Sequence, residues 1–220
     1  DIWQRYAHNL PRHLLGVSRY VQTATMNQLQ RHCGHRALRL GFAPYITLIG
    51  QQGIRLSDLA ATLGISRQAC NQAANQIEAT GYIMRTADPD DGRAKQLSLT
   101  GNGIQLREDG ARILVTMDNE FINIAGADAT ADAGRTLAKL YSRLELELAT
   151  DRSANAYPLS IGALLPGISG YLNRRLMLLT QARGHPGLKL SFGQVLTLIG
   201  PAGGRIQKIA NLQNVSKQAI

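Results

Sequence analysis

The sequence has 220 residues, enough for one large domain or two small ones, and its 44% hydrophobic and 18% charged residues are typical of a soluble globular protein. The formal net charge of +9 favours a polyanionic partner, above all nucleic acid. No apolar run reaches the roughly 18 residues of a membrane span, and two cysteines make no disulfide framework, so we expect a protein of the reducing cytoplasm with no membrane contact.

Helices are predicted over most of the first fifty residues. Residues 2–33 carry one apolar stripe, because apolar side chains recur there at spacings of three and four. The members of this stripe are Trp3, Tyr6, Leu10, Leu14, Val17 and Val21. A second helix is predicted to begin near Pro44, which fits a first helical turn, and to end at Gly50.

A helix-turn-helix is predicted next. Ser57 is a good N-cap for a short helix, and Gly64 supplies the left-handed conformation that a sharp turn needs. Ser66 then caps a second helix, predicted over 66–80. A short helix, a glycine turn and a capped helix make up this motif.

The helix predicted over 66–80 has two different faces. One face is apolar, with Cys70, Ala73, Ala74 and Ile77 at the spacing of a buried stripe. The other carries four amides and no acid: Gln68, Asn71, Gln72 and Asn75. Amides donate and accept hydrogen bonds together, which suits base edges in the major groove, notably adenine. An ordinary polar surface is the alternative interpretation.

A two-stranded ribbon with a charged tip is predicted after this helix. Residues 82–86 and 95–99 have the composition of strands, and the DPDDG sequence between them is typical of a turn. Arg93 and Lys95 lie at the edge of the ribbon, and Asp90 or Asp91 could hold Arg93 extended. A cation on a protruding hairpin can enter the minor groove or contact phosphate. A surface hairpin with an incidental ion pair is the alternative.

Long helices are predicted to follow the ribbon. Thr100 caps one that runs on from residue 104, the GADATADAG sequence of 126–134 is predicted to break the pattern, and a further helix covers 135–149. Leucines lie on more than one side of 135–149, so we expect that helix to be buried against several partners. Residues 151–157 read as a linker, and a helical pattern resumes after Pro158.

The sequence also matches itself after a shift of 150 residues. Residues 47–70 align without a gap to residues 197–220, and ten of the 24 positions are identical. This register indicates a tandem duplication. The second copy retains Ser216, Lys217 and Gln218 where the first has Ser66, Arg67 and Gln68.

Residues 53–103 resemble the MarR family of winged helix-turn-helix regulators. The resemblance rests on LSDLAATLGIS, RQACNQAANQIEATGYIMR and ADPDDGRAKQLSLTGNG, the last being the most specific. It implies a mainly α fold with small β-wings, in which helical dimerisation-type layers (1–33 and 104–149) join a winged helix-turn-helix (42–103) within a first subunit (1–150). An incomplete second repeat would cover 158–220.

The resemblance also implies a function. The chain would be a sequence-specific, ligand-responsive repressor of transcription that binds double-stranded DNA as a homodimer or an intrachain pseudo-dimer, and a small phenolic or similar molecule would be its effector. Helix 66–80 would read the major groove, and the wing, 87–95, the minor groove through Arg93, with Asp91 as its support. The predicted DNA-binding residues are Ser66, Arg67, Gln68, Asn71, Gln72, Asn75, Arg93, Lys95, Ser216, Lys217 and Gln218.

Other chemistry receives less support from the sequence. His32, Cys33 and His35 could bind zinc or sense oxidants, but their spacing matches no standard zinc site, and a helix end with incidental polar residues is the simpler interpretation. Cys70 falls on the apolar stripe and is predicted to be a core residue. We expect no enzymatic activity, no metal and no cofactor. A protein-interaction or small-molecule or redox sensor module on the same scaffold, with a degenerate second copy, is the alternative function.

Overall fold

The computed structural model describes residues 8–50, 53–88, 95–146, 160–188, 192, 195–196, 198–199, 203–213 and 217–219. The chain divides into two compact units, one formed by Val17–Gly167 and the other by Asp1–Gly16 together with Ile168–Ile220. The predicted linker, 151–157, lies outside the described residues, and the predicted domain boundary stays a prediction.

Helices dominate the described residues, and the strands are short. In chain order the elements are α1 (Leu10–Arg31), a 3-10 turn (Leu40–Phe42), α2 (Ala43–Leu48), β1 (Ile54–Arg55), α3 (Leu56–Leu63), α4 (Arg67–Glu78), β2 (Ile83–Ala87), β3 (Lys95–Leu99), α5 (Gly101–Ala125), α6 (Ala127–Arg143), α7 (Ile161–Ala182), α8 (Ile206–Gln213) and a second 3-10 turn (Lys217–Ala219). The predicted class, mainly α with a small antiparallel sheet, is confirmed.

The sheet has three antiparallel strands in the order β1-β3-β2. The hairpin places Ile83 opposite Leu99 and Ala87 opposite Lys95. The third strand, β1, was not predicted: it is two residues long and pairs Ile54 with Leu97. Two residues are too few to show an alternating pattern, so no sequence signal marks this strand.

The predicted cap of the first short helix is wrong. The helix α3 begins at Leu56, and its N-cap is Arg55, which makes no side-chain cap bond. Ser57 therefore lies inside the first turn, where its hydroxyl bonds the Asp58 carboxylate at 3.1 Å. Arg55 is held extended because it belongs to β1, so the sheet decides where this helix starts.

The predicted break at 126–134 is confirmed only at its first residue, because α5 ends at Ala125 and α6 begins at Ala127. Within this segment only Gly126 has a positive φ, +87°, and it separates the two helices. Thr130 is buried in the first turn and donates to the Gly126 carbonyl at 2.8 Å. The prediction of broad burial for 135–149 also fails in part, since Leu137 is 7% exposed but Leu140 is 40% exposed.

The start of α5 packs tightly against the sheet. Thr100 caps this helix, as predicted, and accepts from the Gly103 amide at 3.1 Å. Its hydroxyl also donates to the Gly81 carbonyl at 2.6 Å. A Cβ on Gly103 would lie 2.0 Å from the carbonyl oxygen of Tyr82, so glycine is what allows the two backbones to approach here.

Within the second unit, one helix matches an element of the first in length and in two buried positions. The helix α8 has the same length as α3 and lies 150 positions later. Ile209 and Ala210 are buried as Leu59 and Ala60 are. Gly203, with φ +82°, corresponds to Gly53, with φ +77°. No described helix of either unit is long and apolar enough to cross a membrane.

Candidate nucleic-acid interface

The turn between α3 and α4 fixes the position of the second helix. Gly64 ends α3 in the left-handed conformation, with φ +66° and ψ +35°. Ser66 is the N-cap of α4, and its hydroxyl oxygen accepts from the Ala69 amide at 3.1 Å. The helix-turn-helix prediction is confirmed, although α4 ends at Glu78 rather than at residue 80.

The apolar side of α4 is buried, as predicted. Cys70, Ala74 and Ile77 are 0% exposed. Burial raises the pKa of the Cys70 thiol, because the low-dielectric surroundings disfavour the thiolate. Cys70 is therefore a core residue.

The opposite side of α4 is accessible. We call the four amides Gln68, Asn71, Gln72 and Asn75 the reading face, and all four are exposed. Ser66 and Arg67, at the start of the helix, are exposed as well. The structure thus brings six predicted residues to one side of one helix.

A residue that sequence reasoning missed contacts this face. Arg85, on β2, donates from Nη2 to Oδ1 of Asn71 at 3.0 Å and to Oδ1 of Asn75 at 2.6 Å. Its Nη1 forms an ion pair with Glu78. A signal was available, because Asn71, Asn75 and Glu78 lie at i, i+4 and i+7 and offer acceptors to a cation on the following strand.

The base of the wing is fixed by an ion pair between β1 and the residue that follows β2. Nε of Arg55 lies 2.5 Å from Oδ2 of Asp88, whose side chain is 4% exposed. Thr86 and Ser98 bond across the hairpin at 2.9 Å. Lys95, the first residue of β3, is exposed. Asp91 and Arg93 fall in 89–94, outside the described residues, so their roles stay predictions.

A buried polar cluster connects the segment that follows α1 to α5. Nε2 of His35 lies 2.8 Å from Oδ2 of Asp109, and both side chains are buried. Asp109 also accepts from Gln105 at 3.1 Å and pairs with Arg112. Burial raises the pKa of the Asp109 carboxyl, but the hydrogen bonds from His35, Arg112 and Gln105, with the charge of Arg112, outweigh it, so the pKa lies below its usual value.

The candidate zinc or oxidant site is not assembled as a cluster. His35 faces Asp109, whereas Cys33 is an exposed free thiol. Among the described residues, no three His, Cys, Asp or Glu side chains come close enough to hold a metal ion.

The predicted second copy is described only in part. Lys217 and Gln218 are exposed on the last 3-10 turn, and Ser216 lies outside the described residues. The helix α8 contributes a groove lined by Arg205, Gln207, Lys208 and Asn211.

Comparisons with known proteins agree with this geometry. Residues 44–94, which lie within the predicted winged helix-turn-helix, match the sequence model of the MarR family. Streptococcus pneumoniae FabT in complex with DNA shares 22% identity, covers 65% of this chain and 97% of its own, and has a TM-score of 0.51. At that identity the likeness establishes the fold of the matched part.

Two further solved structures are similar over comparable lengths. A MarR transcriptional regulator from Methanosarcina mazei Go1 shares 16% identity over 65% of this chain and 99% of its own, with a TM-score of 0.48. The transcriptional regulator Tm0710 from Thermotoga maritima shares 21% identity over 61% and 92%, with a TM-score of 0.45. No curated protein matches the chain.

Proposed function

We propose that this chain is a sequence-specific, DNA-binding transcriptional regulator in which α4 enters the major groove. The observation that carries the proposal is the set of four exposed amides beside Arg67 on the second helix of a helix-turn-helix. A solvated helix face normally mixes both signs of charge, whereas amides and arginine are the side chains that bond base edges and phosphates.

The wing supplies the second contact in this proposal. Lys95 is exposed at the end of the hairpin nearest its tip, and Arg93 would enter the minor groove with Asp91 as its support. Cations in this position add affinity that depends little on sequence and strongly on salt.

Two-fold reading is also proposed. The second copy would place Ser216, Lys217 and Gln218 at the start of a second reading helix, either within one chain or in a homodimer. The repetition of α3 by α8, with the same buried positions, supports this. Two reading helices about 34 Å apart would meet successive major grooves on one face of the duplex.

Regulation of the proposed repressor by a small ligand rests on the family resemblance. It is tested by adding small phenolic compounds to a preformed protein–DNA complex and measuring release by fluorescence anisotropy. Unchanged anisotropy across the series would count against ligand control and leave DNA binding untouched.

The DNA-binding proposal is tested with a randomised duplex library and with variants matched in charge. Arg67→Gln and Lys139→Gln each remove one exposed cation, the first on α4 and the second on α6. We expect Arg67→Gln to reduce affinity for the selected duplex by roughly 10-fold or more, in the range of about 1–3 kcal/mol for a base contact, and Lys139→Gln to leave it nearly unchanged.

Salt dependence gives an independent measurement. The logarithm of the binding constant should fall linearly with the logarithm of salt concentration, because phosphate contacts release counterions. A flat dependence, or a library with no enriched sequence, would refute the proposal and favour a protein-interaction role.

A further inference from the structure

Two of the four amides of the reading face are oriented by a neighbour in the structure. Arg85 projects from β2 onto α4 and bonds Asn71 and Asn75 with the same nitrogen, Nη2. Glu78 holds the other terminal nitrogen, Nη1. The three acceptors lie along one side of α4, so one guanidinium spans two helical turns.

The identity of the atoms that face Arg85 follows from chemistry. A guanidinium carries five N–H donors and no acceptor, so only the carbonyl oxygen of an amide can face it. The Nδ2 groups of Asn71 and Asn75, with two donors each, are then the amide atoms that do not face Arg85. Both side chains are exposed, so these donors are available to a partner outside the protein.

The charge of Arg85 also changes what the amides prefer to bind. A hydrogen bond from a cation withdraws electron density from the carbonyl oxygen, and hydrogen bonds in a chain polarise one another. Each amide therefore becomes a stronger donor at Nδ2 and a weaker acceptor at Oδ1. The side chain of Arg85 is 25% exposed, which limits screening of this effect by water.

Guanine and adenine differ in the hydrogen-bond acceptors and donors that they present in the major groove. Guanine presents two acceptors, N7 and O6, whereas adenine presents one acceptor and the N6 donor. An amide reads adenine with its oxygen and nitrogen together, but donates to guanine with nitrogen alone. The polarised amides of Asn71 and Asn75 match guanine better.

We propose that Arg85 is a specificity-determining positioning residue, which directs the amide donors of Asn71 and Asn75 outward so that α4 selects guanine over adenine at the bases that they contact. This inference rests on the proposed DNA-binding function and differs from the sequence-based expectation, which favoured adenine.

The test is a selection from a randomised duplex library with the full chain and three sets of variants. Asn71→Ala and Asn75→Ala first identify the contacted bases, since each loses the preference at its own position. The double variant Arg85→Met, Glu78→Met then removes the cation and its counter-charge together, so the net charge near the DNA is unchanged. We expect the guanine-to-adenine ratio at the identified positions to fall by roughly 10-fold, within the discrimination typical of base contacts.

A second variant keeps the inference testable if the double variant does not fold, which circular dichroism would show. Asn71→Asp retains an oxygen that faces Arg85 but replaces the outward donor with an acceptor. The base at that position should change from guanine towards cytosine, whose N4 amino group donates.

The outcomes distinguish a failure of the role of Arg85 from a failure of the proposed DNA-binding function. Adenine at the identified positions of the wild-type protein, or guanine retained by the double variant or by Asn71→Asp, would overturn the role of Arg85 while DNA binding stands. No enriched sequence and no salt-dependent binding by the wild-type chain would overturn both.

Discussion

Substitution of Gly103 by alanine tests the contact between α5 and the sheet. The added Cβ would lie 2.0 Å from the Tyr82 carbonyl oxygen, 3.1 Å from the carbonyl carbon of the same residue and 3.2 Å from Cδ2 of Leu99. Ordinary contact between carbon atoms begins near 3.5 Å, so the two backbones must separate by about 1 Å or more. We therefore expect Gly103→Ala to destabilise the protein.

The Tyr82 backbone cannot move freely to make this room. Its carbonyl accepts from the Thr100 amide at 3.1 Å, and its hydroxyl donates to the Arg36 carbonyl at 3.1 Å. Overpacking costs about 1–3 kcal/mol, and a weakened hydrogen bond adds about 1 kcal/mol. Alanine in a helix returns about 0.5–1 kcal/mol relative to glycine. The net loss is about 2 kcal/mol.

The matched control lies in the same helix. A Cβ on Gly110 meets no atom within 4 Å, so Gly110→Ala should stabilise the protein by about 0.5–1 kcal/mol. Thermal unfolding followed by circular dichroism should give a Tm roughly 5–12 °C lower for Gly103→Ala than for Gly110→Ala, at about 2–4 °C per kcal/mol. Equal or higher Tm for Gly103→Ala would refute the close approach of α5 to the Tyr82 backbone.

Three further predictions concern the buried and capping groups. Asp109→Ala should lower the free energy of unfolding most above about pH 4. A depressed carboxyl pKa stabilises the folded state above the unfolded pKa, and this contribution is lost as pH falls through the folded pKa. A difference from wild type that stays constant between pH 3 and 7 in urea titrations would contradict this. Ser66→Ala should lower the free energy of unfolding by about 1 kcal/mol, and Ser57→Ala by less than about 0.5 kcal/mol. The reverse order in urea unfolding would indicate that Ser57 is an N-cap. A thiol reagent should modify Cys33 in the folded protein and Cys70 only after unfolding, and rapid reaction of both would contradict burial of Cys70.

Local sequence signals predicted the helix-turn-helix and the start of α5 well. Gly64, Ser66 and Thr100 act through their own backbone conformation or through a bond to a residue three positions away. Such features depend on chemistry that is complete within one turn, so neighbouring residues suffice to predict them. The same locality explains why the stripe of Cys70, Ala74 and Ile77 was found from its spacing.

The failures have a common cause in contacts between distant residues. Ser57 carries a good cap signal, but β1 pairs Arg55 with Gln96 and thereby sets the N-cap of α3 two residues earlier, at Arg55. At 126–134 the small residues resemble a loop in sequence, yet from Ala127 onward they form the start of α6, with Thr130 buried and most of the others exposed. Gly134 lies opposite Ile161, whose Cγ1 would be 3.6 Å from an added Cβ.

The reading face shows the same limit at the level of single atoms. The sequence places Asn71 and Asn75 on one side of a helix, and by itself this leaves each amide free to present its oxygen or its nitrogen. A residue 14 positions after Asn71, on another element, supplies the donor that occupies the oxygen. The polarity of the reading face is therefore a tertiary property. A change at Arg85 that touches no base should alter which base is selected, whereas a change at Lys139 should not.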